Sequence, residues 1–409
     1  MLKSIFWPVL APAFLYACGT GALTPVIVLA ALSLGAHQAV AGAIVTAAAV
    51  AAGVAAIPAG YVINSLGERR SMIGATAVAA ALTAVSVFAL VTHNGSSLPI
   101  FIVAVVLVGS IEVVWSLARQ ALIAETVERE SMALAMTSLG GAARAGQLVG
   151  PLIGSVLLLK LPLYSVFIMH IFLALAATVL IAFGPADPPK RKPVGSGRAN
   201  RKLQVRWSAV FLAGFAIMTL SMARQGKNVI IPLWGDHLHL TASSISLMVA
   251  LGSAVELILI YPGGRLKDSL GRVSTFVACV TLLGIGFAIL PIGGTIAFFI
   301  IGVAVASVGN GLGAGINMTF GADLSPSVGR AKFLGYWNAL GQVGSLLGPG
   351  LISVLIAVAS LPVAVLSLAA APLVGGIWMA GFRHRIGLPG RRRVIIPAPD
   401  AVADESQSQ

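Results

Sequence analysis

The chain of 409 residues is poor in charge, with Asp, Glu, Lys and Arg making only 10% of it, less than half the share in a typical soluble domain. Together with 58% apolar residues and a mean hydropathy of +0.97, that scarcity excludes a water-soluble globular fold. Cysteine is nearly absent. Cys18 and Cys279 lie in apolar runs in different halves of the chain, which excludes a disulfide framework, and neither sits beside a ligand cluster for metal, so both read as small packing residues. No G-x-x-x-x-G-K-[ST] loop occurs, so an ATP-driven machine is excluded and an ion gradient is the energy source to expect. No nucleophile, base and orienting group fall into a recognisable set, so neither an enzyme nor a cofactor is expected.

What the chain has in abundance is long apolar runs. About 20 such residues span the hydrocarbon of a bilayer, and twelve runs qualify, near 7–31, 39–62, 71–92, 99–121, 131–159, 163–183, 208–233, 242–264, 273–292, 295–320, 331–358 and 362–382. The first is too long, and lacks the small-residue cleavage site, for a signal peptide. Between the sixth and seventh runs, Gly184 to Arg206 holds four prolines and seven Lys or Arg, the composition of a mobile linker. The expected organisation is all-α: an N-terminal six-helix bundle (1–183), a basic linker (184–206), a C-terminal six-helix bundle (207–382) and a disordered tail (383–409).

Basic residues outnumber acidic ones 26 to 13. With the N-terminus cytoplasmic, 21 of the 26 fall on the cytoplasmic side, four lie within spans and only Lys160 falls outside. That is a strong positive-inside pattern. The formal charge of +13 is then explained by short loops facing anionic lipid headgroups rather than by nucleic acid. The expectation is a protein of the plasma or inner membrane with both termini cytoplasmic.

A motif repeats about two hundred residues apart, as G-Y-V-I-N-S-L-G-E-R-R from Gly60 to Arg70 and G-R-L-K-D-S-L-G-R from Gly264 to Arg272. Each copy follows Pro-Xaa-Gly at the end of an apolar run, with the same glycine-to-Asx spacing of four and Asx-to-glycine spacing of three. Two homologous halves with equivalent turns on one side of the bilayer follow from this. Pro25 and Pro232, each six residues after a glycine (Gly19, Gly226), also correspond, as do Gly150-Pro151 and Gly348-Pro349.

Twelve spans in two halves, with a G-x-x-x-[DN]-x-x-G loop followed closely by arginine (Arg69 after one residue, Arg272 directly) after the second and eighth spans, resemble the major facilitator superfamily over residues 7 to 382. The resemblance implies alternating access by two pseudo-symmetric six-helix bundles, acting as a monomer. It also implies that Gly60, Asn64, Gly67, Arg69 and Arg70, with Gly264, Asp268, Gly271 and Arg272, form a cytoplasmic gate that stabilises the outward-facing state. A glycine there permits close helix approach, and Asp268 can accept hydrogen bonds from free amides at a helix N-terminus; Asn64 supplies no such charge. In the fifth span, Gly146, Gly150, Pro151 and Gly154 place small residues four apart beside a proline, a packing and hinge pattern that Gly344, Gly348 and Pro349 echo in the eleventh. The stretch is similar to the G-x-x-x-G-P-x-x-G of exporting antiporters, although Ser155 stands where a second glycine is common.

Ionisable residues inside a bilayer are costly, at least ~2.5 kcal/mol each on insertion scales, and mark function. Glu112 and Glu256 are the acids there, and either can carry a coupling proton. Arg119, seven residues from Glu112 on one helix face, resembles the fourth-span arginine that exporter families associate with proton coupling; the usual glycine soon after it is missing. Snorkelling towards Glu125 is the alternative. Arg144, Arg224 and Lys227, with Gln225, Asn228 and Trp115, are the expected cavity residues, since the resemblance puts spans one, four, seven and ten around the substrate. Four cations against two acids point to a substrate bearing an anionic group. The histidines, His170 among them, read as packing or interfacial residues, and Trp7, Trp207 and Trp234 as interfacial anchors.

The expectation is therefore a proton-coupled antiporter that exports a small amphiphilic or drug-like compound. Uptake or facilitated passage of a small organic anion or sugar is the alternative, and a transport-inactive sensor or scaffold is the alternative of another class.

Overall fold

The computed structural model describes residues 6–126, 132–183, 205–326 and 330–388. Most of the expected linker and tail lie outside them. A π-helical turn, Phe6–Leu10, leads into α1 (Ala11–Ser33). There follow α2 (Gln38–Leu66), α3 (Glu68–Thr92), α4 (Ser97–Thr126), α5 (Met132–Leu157) and α6 (Tyr164–Ala182). The second half holds α7 (Trp207–His237), α8 (Ala242–Ile258), α9 (Ile260–Ser269), α10 (Arg272–Gly293), α11 (Ile296–Leu312), α12 (Ile316–Leu324), α13 (Arg330–Val358) and α14 (Leu361–Gly381), and a turn, α15 (Arg383–Ile386), ends the described chain.

Ten helical stretches are long and apolar enough to cross a bilayer, and the pair α8 and α9, bent by 42° at Leu259, makes an eleventh. The twelfth span, α5, is diluted by five glycines, Arg144 and Gln147, and is held in place by packing on α1 and α8. The tenth span is likewise two pieces, α11 and α12, parted at Gly313–Gly315, where Gly315 takes φ +73°. Side chains such as Val54, Ile57, Phe88, Phe172 and Ile377 project from the bundle with more than half their surface exposed. In lipid that belt is the solvated surface. The chain is an integral membrane protein.

Because lipid offers helices no hydrophobic reason to associate, close backbone contact does that work. A Cβ on Gly146 or Gly150 of α5 would strike the carbonyls of Phe14 and Cys18 on α1, and one on Gly344 or Gly348 of α13 would strike those of Met218 and Met222 on α7. The same four-residue step occurs in both halves. Gly19 on α1 makes room for the His170 ring of α6, and Gly226 on α7 makes room for Leu368 of α14. The paired glycines of the sequence are thus equivalent helix crossings related by the pseudo-symmetry of the halves.

The second glycine of each loop motif has a different cause. Gly67 and Gly271 take φ +84° and +91°, a region that a side chain opposes, and each reverses the chain between two helices. The first glycines, Gly60 and Gly264, have no heavy atom within 4 Å of a built Cβ, and the same holds for Gly140, Gly141 and Gly335. No heavy atom crowds α2, α5, α9 or α13 at these positions, and among the described residues every hydrogen bond and glycine contact between the halves lies at the other end. At the opposite end the halves meet: Ser243 Oγ of α8 donates to the Ser155 carbonyl of α5 at 2.7 Å, and a Cβ on Gly42 of α2 would lie 2.7 Å from Ser353 Oγ of α13. The bundle is closed at the far end and open at the motif end.

Two of the gate arginines make contacts within their own halves. Arg69 donates to the carbonyls of Ile181 and Ala182 at the end of α6, while Arg272 reaches Asp268 at 2.8 Å and Asp323 at 3.2 Å. Arg70 is exposed. Of the tail expected from 383, residues 383–388 are described: Ile386 is fully buried, and Arg206 donates to its carbonyl at 3.1 Å.

Candidate functional site

Between the halves lies a cavity with two adjoining lobes of about 200 and 350 Å³, which share Gln147, Arg224, Ser253 and Glu256. The larger lobe falls within the size range of small-molecule sites. Arg144 projects into it from α5 in the N-terminal half; Arg224, Gln225, Lys227 and Asn228 come from α7 and Glu256 from α8 in the C-terminal half. Five of the six expected cavity residues are thus together.

Their engagement differs. Lys227 forms an ion pair with Glu256, the two side chains being 15% and 23% exposed. Arg224 donates from Nε to Asn310 Oδ1 at 2.6 Å and from a terminal nitrogen to the Gly313 carbonyl at 2.9 Å. Gly313 stands where the tenth span breaks, so the guanidinium satisfies carbonyls left over at the C-terminal end of α11. Asn228 donates to Gln225 at 3.0 Å on its own helix. Arg144 is exposed to the cavity, within Coulombic reach of Arg224 and Glu256, and makes no hydrogen bond or ion pair among the described residues. Three cations face one carboxylate, and Arg144 is the cation with an open hydrogen-bonding fork.

Trp115 is not part of this cavity, which corrects the expectation. It is 3% exposed and stacks on Tyr16 of α1 with ring centroids 4.1 Å apart. The reason is helix phase: Trp115 turns into the N-terminal bundle, where small residues of α1 leave room for the indole. Arg119 lies over the same ring at 4.5 Å, a cation–π contact, and His170 meets Tyr16 edge-on at 5.6 Å. Tyr16 Oη, Trp115 Nε1, Arg119 Nε and both nitrogens of His170 have no hydrogen-bond partner among the described residues. The side chain of Glu125, the alternative partner of Arg119, lies outside the described residues. Trp234, expected as an anchor, is instead buried in the C-terminal core at 2% exposure.

Glu112 opens onto a third space, a chamber of about 130 Å³ inside the N-terminal half. Thr20, Thr24, Thr83, Ser86 and Phe167 also line it, and Thr20 and Thr24 line the central cavity as well. The two spaces are neighbours across one face of α1.

Sequence reasoning did not assign Asn310, Gln147 or Thr20 and Thr24. The lone amide in the glycine-rich S-V-G-N-G-L-G stretch was a legible signal for Asn310, since glycines either side of a polar residue in an apolar run mark a helix break. Threonines in spans carry no such mark.

Two six-span halves around a polar cavity at mid-bundle, closed at one end and open at the other, define the architecture of a secondary transporter. Comparison narrows this further. The sequence pattern of the Major Facilitator Superfamily matches residues 10–223 and 213–395, and the chain belongs to that superfamily. A quinolone resistance protein, NorA of Staphylococcus aureus, is 29% identical over 126 residues, covering 30% of this chain and 31% of that protein. A probable polyol transporter, number 4 of Arabidopsis thaliana, is 29% identical over 111 residues, covering 27% of this chain and 21% of that protein. The chain thus matches less than a third of the length of either relative. The crystal structure of a D-xylose–proton symporter shares the fold with a TM-score of 0.73 at 16% identity, covering 95% of this chain and 98% of that one.

Proposed function

We propose that this chain is a proton-coupled antiporter that exports a small amphiphilic compound by alternating access. The observation that carries the reading is the unequal state of the two intramembrane carboxylates. Glu256 is neutralised by Lys227, whereas Glu112 faces a chamber and has no hydrogen bond or ion pair among the described residues. Exchange requires that proton and substrate exclude each other, and an unpaired carboxylate beside the substrate cavity is suited to that. The α5 glycine and proline stretch and the partial likeness to a quinolone resistance protein support export. The expected cytoplasmic placement of the basic loops makes the open end the inner one, so this is the state that loads from inside. The excess of cations in the cavity favours a substrate with an acidic group, met by Arg144.

A second reading rests on that same charge. Protonating Glu256 would leave the cavity with three unopposed cations, so an anion and a proton would load together, and the transporter would then take up a small organic anion.

The deciding assay uses proteoliposomes with an internal pH dye, and a panel of cationic, neutral and carboxylate-bearing amphiphiles that includes quinolones. Antiport requires proton movement opposite to the substrate, abolished by Glu112→Gln and retained in Glu256→Gln. Movement in the same direction, abolished by Glu256→Gln alone, would replace the first reading with the second. Substrate flux without proton flux would reject both.

A further inference from the structure

We infer that the chamber beside Glu112 is a second lobe of the substrate site and takes an organic ammonium group, so that the preferred substrate is amphoteric, its acidic end at Arg144. This deepens the anionic-group reading above and rests on it for the acidic end only.

The argument is about which hydrogens remain available. A Ser or Thr hydroxyl has one hydrogen to donate and two lone pairs to accept with. In the chamber all four hydroxyls have already donated to their own helices: Thr20 to the Ala17 carbonyl at 3.4 Å, Thr24 to Thr20 at 2.9 Å, Thr83 to Ala79 at 2.7 Å and Ser86 to Leu82 at 3.3 Å. What they present to the space is lone pairs. Glu112 adds a carboxylate, which when ionised only accepts. The remaining lining, including Leu23, Ile27, Val105, Val108 and Phe167, is apolar. An apolar chamber whose polar atoms are all acceptors selects a group that carries donors and positive charge on a hydrocarbon frame.

A bare metal ion fits poorly. One carboxylate and four scattered hydroxyls around a chamber of about 130 Å³ do not make the close oxygen shell that hard cations need, and no cluster of metal ligands exists among the described residues. The unpartnered donors nearby, Tyr16 Oη and Trp115 Nε1, belong to the aromatic stack and do not line the chamber. Because Thr20 and Thr24 border both spaces, one ligand can reach Glu112 with one end and the cation-rich cavity with the other.

The test is calorimetric binding to the purified protein in lipid nanodiscs with three probes. One is a biphenyl with a carboxylate at one end and an aminomethyl group at the other, one replaces the aminomethyl by methyl, and one is biphenylmethylamine without the carboxylate. A charge-assisted hydrogen bond lost from a desolvated site predicts that the amphoteric probe binds about tenfold to a hundredfold more tightly than its methyl analogue. Glu112→Gln should erase that advantage and leave the methyl analogue unchanged, and Val108→Trp, which fills the chamber, should do the same with the carboxylate of Glu112 intact. Arg144→Gln should weaken both carboxylate probes alike. Equal affinities in the wild type, or an advantage that survives Glu112→Gln, overturns the inference. Biphenylmethylamine binding that depends on Glu112, with carboxylate probes indifferent to Arg144→Gln, would uphold the chamber while rejecting the anionic reading.

Discussion

The Lys227–Glu256 ion pair offers a quantitative test of how the cavity is balanced. At contact separation of ~3 Å and an effective dielectric constant of ~20, two unit charges attract by about 5 kcal/mol. Both side chains are mostly buried, at 15% and 23% exposure, so desolvation removes much of that gain, and a net coupling of about 2 kcal/mol is expected. Neutralising one partner has a second cost, because the other loses its ion-pair partner, and a lone Lys227 is left beside the like charge of Arg224. Lys227→Met and Glu256→Gln should each destabilise the protein by about 2–3 kcal/mol, and the double variant by less than the sum, by about the coupling energy. Chemical denaturation in mixed micelles, followed by far-ultraviolet circular dichroism, gives the four corners of the cycle. Strict additivity would show that the pair contributes nothing to the resting state, and that Glu256 is as free to load a proton as Glu112.

Two further outcomes test the packing and the state. Gly150→Ala and Gly348→Ala place a methyl group against a facing carbonyl, Cys18 on α1 or Met222 on α7, and should each cost about 2–3 kcal/mol as overpacking that backbone cannot relieve. Gly53→Ala, with nothing within 4 Å of its Cβ, should be neutral or stabilising by about 0.5–1 kcal/mol, as a helical glycine exchanged for alanine is; equal losses at all three positions in a thermal-stability assay would refute the contact argument. Finally, a Cβ built on Gly42 lies 3.7 Å from that of Ser353, inside the roughly 3.5–4.5 Å window of a disulfide. Gly42→Cys with Ser353→Cys, in a background lacking Cys18 and Cys279, should therefore cross-link under mild oxidation and arrest transport until reduced, and transport unaffected by a complete cross-link would refute a moving far-side seam.

Much of the fold was legible because lipid imposes so few solutions. Apolar length gave the spans, and the repeated loop gave the halves, with both second glycines explained by backbone angles that only glycine takes readily. The breaks at Leu259 and Gly313–Gly315 were not legible as breaks, since hydropathy averages over a bend, although the polar Asn310 among glycines was a signal. Within the site, charge alone located Arg144, Arg224, Lys227 and Glu256, because a cation or acid in hydrocarbon has few places to go. Trp115 went astray because an indole carries no charge to direct it; its face was set by the space beside Tyr16, a tertiary property. Pairing was equally hidden, since nothing in the sequence says that Lys227, rather than Arg224 or Arg144, meets Glu256.

The division of polar groups between the halves has a mechanical consequence. In the C-terminal half, helix breaks release carbonyls and buried cations take them up: Arg224 holds Gly313, and Lys267, a residue of the second loop motif, donates to Ala314 just beyond it. A cavity residue and a loop residue are thereby fastened to adjacent positions of one hinge. The N-terminal half has no such break in its six spans among the described residues, and several of its buried polar atoms without partners there, those of Tyr16, Trp115, Arg119 and His170, gather around one aromatic stack. An anion that drew Arg224 towards the cavity would do so at the expense of its contact with the Gly313 carbonyl, which lies next to the carbonyl that holds Lys267.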